Sequence, residues 1–535
     1  MCIAVSGSLL CQLFILQQSE IGAKESCLQL RVWHIARSVL SNWFATAATL
    51  AVGFFLAPFI VHRLGNVAYG VWVLAISSIN YLIILDLGMA SSVIRFVSKG
   101  HATQDHQGSS EALSAVLWVR LQIGALILAL SGGLAAVFPL VFKVPPALAL
   151  DAREAILVIG VTTTISMSFG VFSSTLSALN RYDLRNYASL TQLAVRVIGV
   201  VAVLRAGHGI VAIAFCEFLA AVVGNGLLVL LARRTYPELR IRLTKPRWEV
   251  LRKIWSYSLY AFLITVAMQL VYQSDNLVVG AFVSASAVTF YSIGNSLCRY
   301  TQQIVGAMTT TFTPAASTYE ALGDSSRLRA LYYNGTRATM ALYLPIVITL
   351  IIRGSSFIGV WMGPQYARTS GTVLAILATA LLFSLPNSAA GSIAWGVEKH
   401  KALAKWAIGE GIANLTLSIV LARKFGLYGV AIGTLVPSVV VQLVMWPRYV
   451  SRLVDVSWVQ VFRNVWGPVF LCAVPFAAAS YAVEILFPAR NMVIFVLQTM
   501  ALLPIFGFAI GLMFRDNVKR QIIPRVRSFF YADAK

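Results

Sequence analysis

Seven ionisable residues stand inside long apolar stretches of this 535-residue chain: Arg120, Arg196 and Arg299, with Asp86, Glu217, Asp275 and Glu410. A charge near the centre of a membrane helix costs about 2.5–3.5 kcal/mol on insertion scales, so it faces a partner or a cavity. Guanidinium stays charged and presents a planar fork of donors suited to phosphate. A carboxylate can carry H⁺ or join a Na⁺ site. Two chemistries are therefore open. Arginines could receive an anionic substrate while carboxylates bind a coupling cation, or the charges could simply pair and hold helices together. Side chains near helix ends can also reach the interface, which weakens Arg120 and Asp275 as candidates. Arg196 and Arg299 fall near mid-span, and neither has an acid at i±3 or i±4. Each must find its counter-charge on another helix or in a ligand.

The elements that must position these groups are membrane helices. Hydrophobic residues make up 58% of the chain and charged residues 12%, about half the charge of a water-soluble domain. Mean hydropathy is +0.78. Fourteen apolar stretches follow one another with little between them. Each has about 20 residues, which at 1.5 Å per residue cross the ~30 Å hydrocarbon core. The expected fold is an all-α polytopic membrane protein with about 14 transmembrane helices. It divides into an N-lobe of six helices (39–231), a basic cytoplasmic linker (232–253) and a C-lobe of six helices (254–447). Two further helices (463–514) and a basic cytoplasmic tail (515–535) follow. Residues 1–38 read either as a flexible or interfacial extension or as a start assigned too far upstream.

The two lobes are expected to be pseudo-symmetric. At a shift of 219 residues, Gly207-His208-Gly209-Ile210-Val211-Ala212 falls on Gly426-Leu427-Tyr428-Gly429-Val430-Ala431. An even number of helices per copy gives both copies one orientation, related by an axis along the membrane normal.

The net charge of +22 is placed asymmetrically. About 30 of the 42 Lys and Arg lie at the termini and in alternate connections, and about 9 on the opposite side. Positive charge stays inside, so both termini are expected in the cytoplasm. Topology and anionic lipid account for these charges, and nucleic acid is not an expected partner. The six Cys show no CxxC spacing, and the six His are scattered in loops and at helix ends. Neither a metal site nor a disulfide framework is indicated. The chain has no P-loop, HExxH or GxSxG motif and no exposed acidic pair. The longest outer connection, about a dozen residues, is short for the acceptor site a polysaccharide polymerase or ligase would need. A transporter without a cofactor is expected rather than an enzyme.

Leu64-Gly65-Asn66-Val67-Ala68-Tyr69-Gly70-Val71-Trp72 leads to Asp86-Leu87-Gly88-Met89 and then Arg95-Phe96-Val97-Ser98. A second element, Asp275-Asn276-Leu277-Val278-Val279-Gly280, is followed by Phe290-Tyr291-Ser292-Ile293. Gly294 comes next, at the small position three residues beyond Tyr291 where the pattern more often has Ala. Over roughly residues 38–450 the chain resembles the polysaccharide flippases of the multidrug/oligosaccharidyl-lipid/polysaccharide exporter superfamily. The resemblance implies alternating access of two lobes around a partly cationic cavity in the bacterial inner membrane. The substrate it implies is a polyprenyl-diphosphate-linked oligosaccharide for O-antigen, capsule or exopolysaccharide, driven by H⁺ or Na⁺. Membrane lipids, a polysaccharide polymerase and assembly proteins are the further partners. Arg196, Arg299, Arg120 and Arg95 become the substrate-binding candidates, Arg95 being equally an anchor at the cytoplasmic end of the second helix. Asp86, Glu217, Asp275 and Glu410 become the coupling candidates. A multidrug exporter of the same superfamily is the alternative, and mid-membrane arginines argue against its cationic substrates. A lipid II flippase shares the 14-span plan.

Overall fold

A computed structural model describes residues 4–243, 273–399 and 401–513, with scattered positions between 246 and 271 and side chains from residue 41 onward. Among the described residues there are helices and no strands. A backbone in hydrocarbon must satisfy its own hydrogen bonds, and helices do so within each segment. Ten stretches are long and apolar enough to cross a membrane. Two of them, Ser41–Asp86 and Lys405–Val454, each hold a pair of spans. The expected seventh span lies largely outside the described residues, as does the basic tail.

The first pair belongs to α1 (Ala4–Leu82), interrupted at Gly65 with φ 76°. That left-handed value favours glycine, and the chain doubles back there. Ser41 and Asn42 accept from Asn186, Asn66 bonds Tyr366, and Asp86 returns to Arg120. The N-lobe continues through α2 (Met89–Ala102), α3 (His106–Val141), α4 (Pro146–Ala178), α5 (Tyr182–Arg205) and α6 (Ile210–Thr235). Asp105 starts α3 by accepting from the Gly108 N–H at 2.8 Å, satisfying a donor the first turn leaves free. The C-lobe contains α7 (Ser274–Phe282), α8 (Ala285–Thr309), α9 (Phe312–Ala321), α10 (Ser325–Trp361), α11 (Pro364–Ser384), α12 (Asn387–Gly396) and α13 (Lys401–Val440). After α14 (Trp446–Val454) and the single turn α15 (Trp458–Val461) come the last two spans, α16 (Gly467–Leu486) and α17 (Met492–Met513).

The internal repeat is visible in the packing. α13 reverses at Gly426 (φ 57°), and Gly433 then lies so close to Ser418 that a Cβ would fall within 2.4 Å of its Oγ. In the N-lobe α5 and α6 form the matching hairpin, where a Cβ on Gly199, the counterpart of Ser418, would meet Cys216 at 3.0 Å. Small residues let the two helices of each hairpin approach closely.

The lobes meet where α1 runs beside α8 and α7. Asn66 accepts from Thr289 at 2.6 Å, His62 bonds the Met362 carbonyl at 2.7 Å, and Trp361 donates to the Phe54 carbonyl at 3.0 Å. Asn276 donates to Ser77 and Gln269 to the Asn80 carbonyl. Gly70 is required here, since a Cβ would stand 1.8 Å from the Ala285 carbonyl oxygen. Large apolar side chains such as Leu140, Phe55 and Phe508 remain exposed on the outside, as a lipid-facing surface requires.

Two fastenings complete the architecture. Arg353, wholly buried, pairs with Glu484 at 3.1 Å, bonds Gln498 and lies 4.6 Å from the Phe495 ring centre, tying α10 to α16 and α17. After α6, the chain forms a strap along α3. Tyr236 bonds the His106 ring at 2.6 Å, and the Arg240 and Arg242 amides donate to Ser110 and Ser114 at 3.1 and 3.0 Å.

Candidate functional site

The signature residues have physical roles. Leu87 (φ 53°) and Gly88 (φ 72°) are both left-handed and turn the chain between Asp86 and α2. That turn sets Asp86 against Arg120, whose Nη2 is 2.7 Å from Oδ1, with Arg120 almost fully buried. Arg95 is exposed on α2 and is not among the groups that meet in mid-membrane. In the second element Tyr291 donates to the Asp275 carboxylate at 2.7 Å, so the two ends of the motif meet. Gly280 and Gly294 allow close packing on Leu74 and on the Ser370–Leu374 backbone.

Arg196 finds its counter-charge across the α5–α6 hairpin in Glu217, with Nε to Oε1 at 2.6 Å. This pair is not sealed in: the Arg196 side chain is 41% exposed. Arg299 is exposed on α8 and has no carboxylate partner among the described residues. Both guanidiniums act electrostatically on Tyr69 and Tyr300. Tyr300 in turn points at Gly53, where a Cβ would lie 3.0 Å from its hydroxyl. Arg196 of the N-lobe and Arg299 of the C-lobe are thus both within electrostatic reach of Tyr69, on α1, and of Tyr300. Arg299 can receive an anion, because among the described residues no acid is paired with it.

The carboxylates divide differently. Asp86 and Glu217 serve the two pairs of the N-lobe, whereas Asp275 and Glu410 line a single cavity of about 650 Å³ inside the C-lobe. Asp275 is 4% exposed and accepts from Tyr291 and, at 2.9 Å, from Thr434. Both donors reach Oδ2, and Oδ1 is buried without a hydrogen bond. Among the described residues no Lys, Arg or His lines the cavity. Thr434 was not a candidate from sequence, although it stands on the repeat-bearing hairpin eight residues after the Gly426 turn. Arg353 and Glu484 were not candidates either. No sequence signal pairs residues that far apart.

Fold and relatives together define a class, a multi-pass transporter of the exporter superfamily named above rather than an enzyme. The profile of the polysaccharide biosynthesis protein family matches residues 60–371, and the chain belongs to that family. It is 24% identical over 436 residues to the uncharacterized membrane protein EpsK of Bacillus subtilis, covering 80% of this chain and 85% of that one. A shorter match, 22% over 216 residues, is to the probable low-salt glycan biosynthesis flippase Agl15 of Haloferax volcanii, covering 40% of this chain and 45% of that one. Among solved structures, the inward closed form of the lipid II flippase MurJ superposes with a TM-score of 0.70 at 13% identity, covering 90% of this chain and 99% of that one. An inward-facing multidrug resistance MATE transporter gives 0.64 at 15% identity, covering 77% and 94%. These likenesses agree with the expected all-α fold of two pseudo-symmetric lobes with two helices appended.

Proposed function

We propose that this chain flips a polyprenyl-diphosphate-linked oligosaccharide across the bacterial cytoplasmic membrane, supplying O-antigen, capsule or exopolysaccharide assembly. The observation that carries this reading is Arg299. An exposed mid-span guanidinium without a carboxylate partner is expensive in hydrocarbon and becomes favourable when it meets a diphosphate. Arg196 acts on the same tyrosines, and in this reading Glu217 releases it as the ligand arrives. Arg120 and Arg95 have subordinate parts: one supports the Asp86 turn, and the other lies toward the face from which the substrate would enter. The names of the relatives, a glycan biosynthesis flippase and a lipid II flippase, support the same substrate class.

Coupling falls to the C-lobe. In this reading Asp275 takes a proton or Na⁺ at Oδ1, which is buried without a hydrogen bond, and Glu410 lies in the same cavity. A lone carboxylate among hydroxyl oxygens suits a monovalent ion better than a divalent one. Binding there, at the junction of α7, α8 and α13, would bias how the C-lobe rests on α1. Both termini are cytoplasmic in this reading, and the polymerase and assembly proteins act on the delivered product.

The experiment is deletion of the gene and complementation with variants. Deletion should leave lipid-linked intermediates on the inner leaflet. Arg299→Lys should restore part of the export and Arg299→Ala none, with both proteins present in the membrane. Intact export in a strain carrying both Arg196→Ala and Arg299→Ala would overturn the anion site. Full gradient-driven activity in Asp275→Asn and Glu410→Gln would overturn the coupling assignment.

A further inference from the structure

The 650 Å³ cavity of the C-lobe is larger than two carboxylates and a monovalent ion require. It lies in the ~300–1,000 Å³ range of pockets that enclose an organic ligand. Its walls carry polar groups left without protein partners. Asn295 and Gln302, one above the other on α8, make no hydrogen bond to another described residue, and the same holds for the hydroxyls of Ser384 and Ser392. Gln442 reaches the cavity from a widened helical turn at Val441–Met445, a π-type distortion of the kind found at functional sites. Asn387 donates to both its side chain and its carbonyl, which fixes the Gln442 amide with its own N–H groups unspent. Two indoles border the space. Trp446 packs over Gly391, and Trp395, one turn further along α12, is 46% exposed.

Amides and hydroxyls without partners among the described residues, set beside aromatic faces, are the chemistry that recognises uncharged sugars. Amides both donate and accept, as sugar hydroxyls do, and indole faces cover the C–H faces of pyranose rings. A diphosphate is disfavoured, since among the described residues the charges lining the cavity are the carboxylates of Asp275 and Glu410. Arg299 nevertheless stands close by. It lies four residues after Asn295 and three before Gln302, spacings that bring Cβ atoms within about 5–6 Å on one helix.

We propose that this cavity is a glycan subsite: it receives the neutral sugars of the head group while Arg299 holds the diphosphate at its edge. The assignment rests on the flippase reading. It also places sugar and coupling ion in one cavity, so that each senses the other.

The test uses the full chain in lipid nanodiscs and a neutral disaccharide methyl glycoside bearing a diazirine. After illumination, peptides from α8, α11 and α12 should carry the label. Excess unlabelled disaccharide should compete, and inorganic pyrophosphate should not. Removing two sugar-facing amides with Asn295→Leu and Gln302→Leu should raise the half-saturating concentration about ten-fold, as expected for lost hydrogen bonds. Labelling of the unaltered chain needs no variant to fold. Label confined to other surfaces, an unchanged half-saturation in the double variant, or displacement by tetraphenylphosphonium but not by disaccharide would overturn the subsite. Export that survives gene deletion would instead remove the flippase reading, and the two failures are distinct.

Discussion

Replacing Arg353 by Met should loosen the last two helices from the rest of the protein, and the structure sets the size of the effect. The guanidinium is fully buried, and it holds the Glu484 carboxylate, the Gln498 amide and the Phe495 ring at once. Removing one partner of a buried pair costs about 3–5 kcal/mol, because the other charge is stranded. A desolvated cation–π contact adds up to about 2 kcal/mol. Glu484 retains its bond from Ser356 and is 21% exposed, so part of its charge stays compensated. The expected loss is therefore about 3 kcal/mol, at the low end of that range. Removing both charges, with Arg353→Met and Glu484→Leu together, should recover most of it, leaving a coupling of about 2 kcal/mol. Unfolding in detergent, followed by protection of cysteines placed on α17, measures the four corners of the cycle. Additive effects of the two substitutions, or a change of under about 0.5 kcal/mol for Arg353→Met alone, would refute the argument.

Gly70→Ala should wedge α1 away from α8, at a cost of about 1–3 kcal/mol for overpacking, and abolish a disulfide engineered between positions 66 and 366. Arg120→Leu alone should impair folding, whereas Arg120→Leu with Asp86→Leu should restore it, measured as monodisperse yield. A transport defect persisting in the folded double variant would give this pair more than a structural part. Asp324 caps α10, and the Arg327 N–H, then the Ser326 hydroxyl, hold its carboxyl below the usual carboxylate range. Its contribution is therefore complete above the ordinary value near about pH 4 and is lost as pH falls through the lower folded value. Amide exchange in the first turn of α10, corrected for intrinsic rates, should accelerate in acid, and Asp324→Asn should flatten that dependence.

The spans were legible because hydropathy is a local property, needing only some 20 consecutive residues to declare itself. Partners were not. Sequence marks Arg120 and Arg196 as expensive, but which acid each meets depends on how helices are rotated about their axes. Arg353 drew no notice in the sequence, yet it is wholly buried with Glu484 as its partner. The second motif was legible as a pattern without its reason, which is the hydrogen bond from Tyr291 to Asp275. Of the C-lobe cavity, Asp275 and Glu410 stood out in the sequence and the rest of the lining did not. Its Asn, Gln and Ser are individually ordinary and gather only once α8, α11, α12 and the Gln442 turn are assembled.

The strap that follows α6 decides where this polypeptide could be divided into two genes. Residues 236–243 belong, by their bonds, to the first half: Tyr236 to His106, and the amides of 240 and 242 to Ser110 and Ser114. A break within residues 244–253 would leave that stitching intact, and the halves could recombine through the α1–α8 contact. A break ahead of Tyr236 would strip α3 of its cover and leave two serine hydroxyls and an imidazole to find new partners. Co-expressed fragments cut at the two places should therefore behave differently, although the cuts are fewer than twenty residues apart.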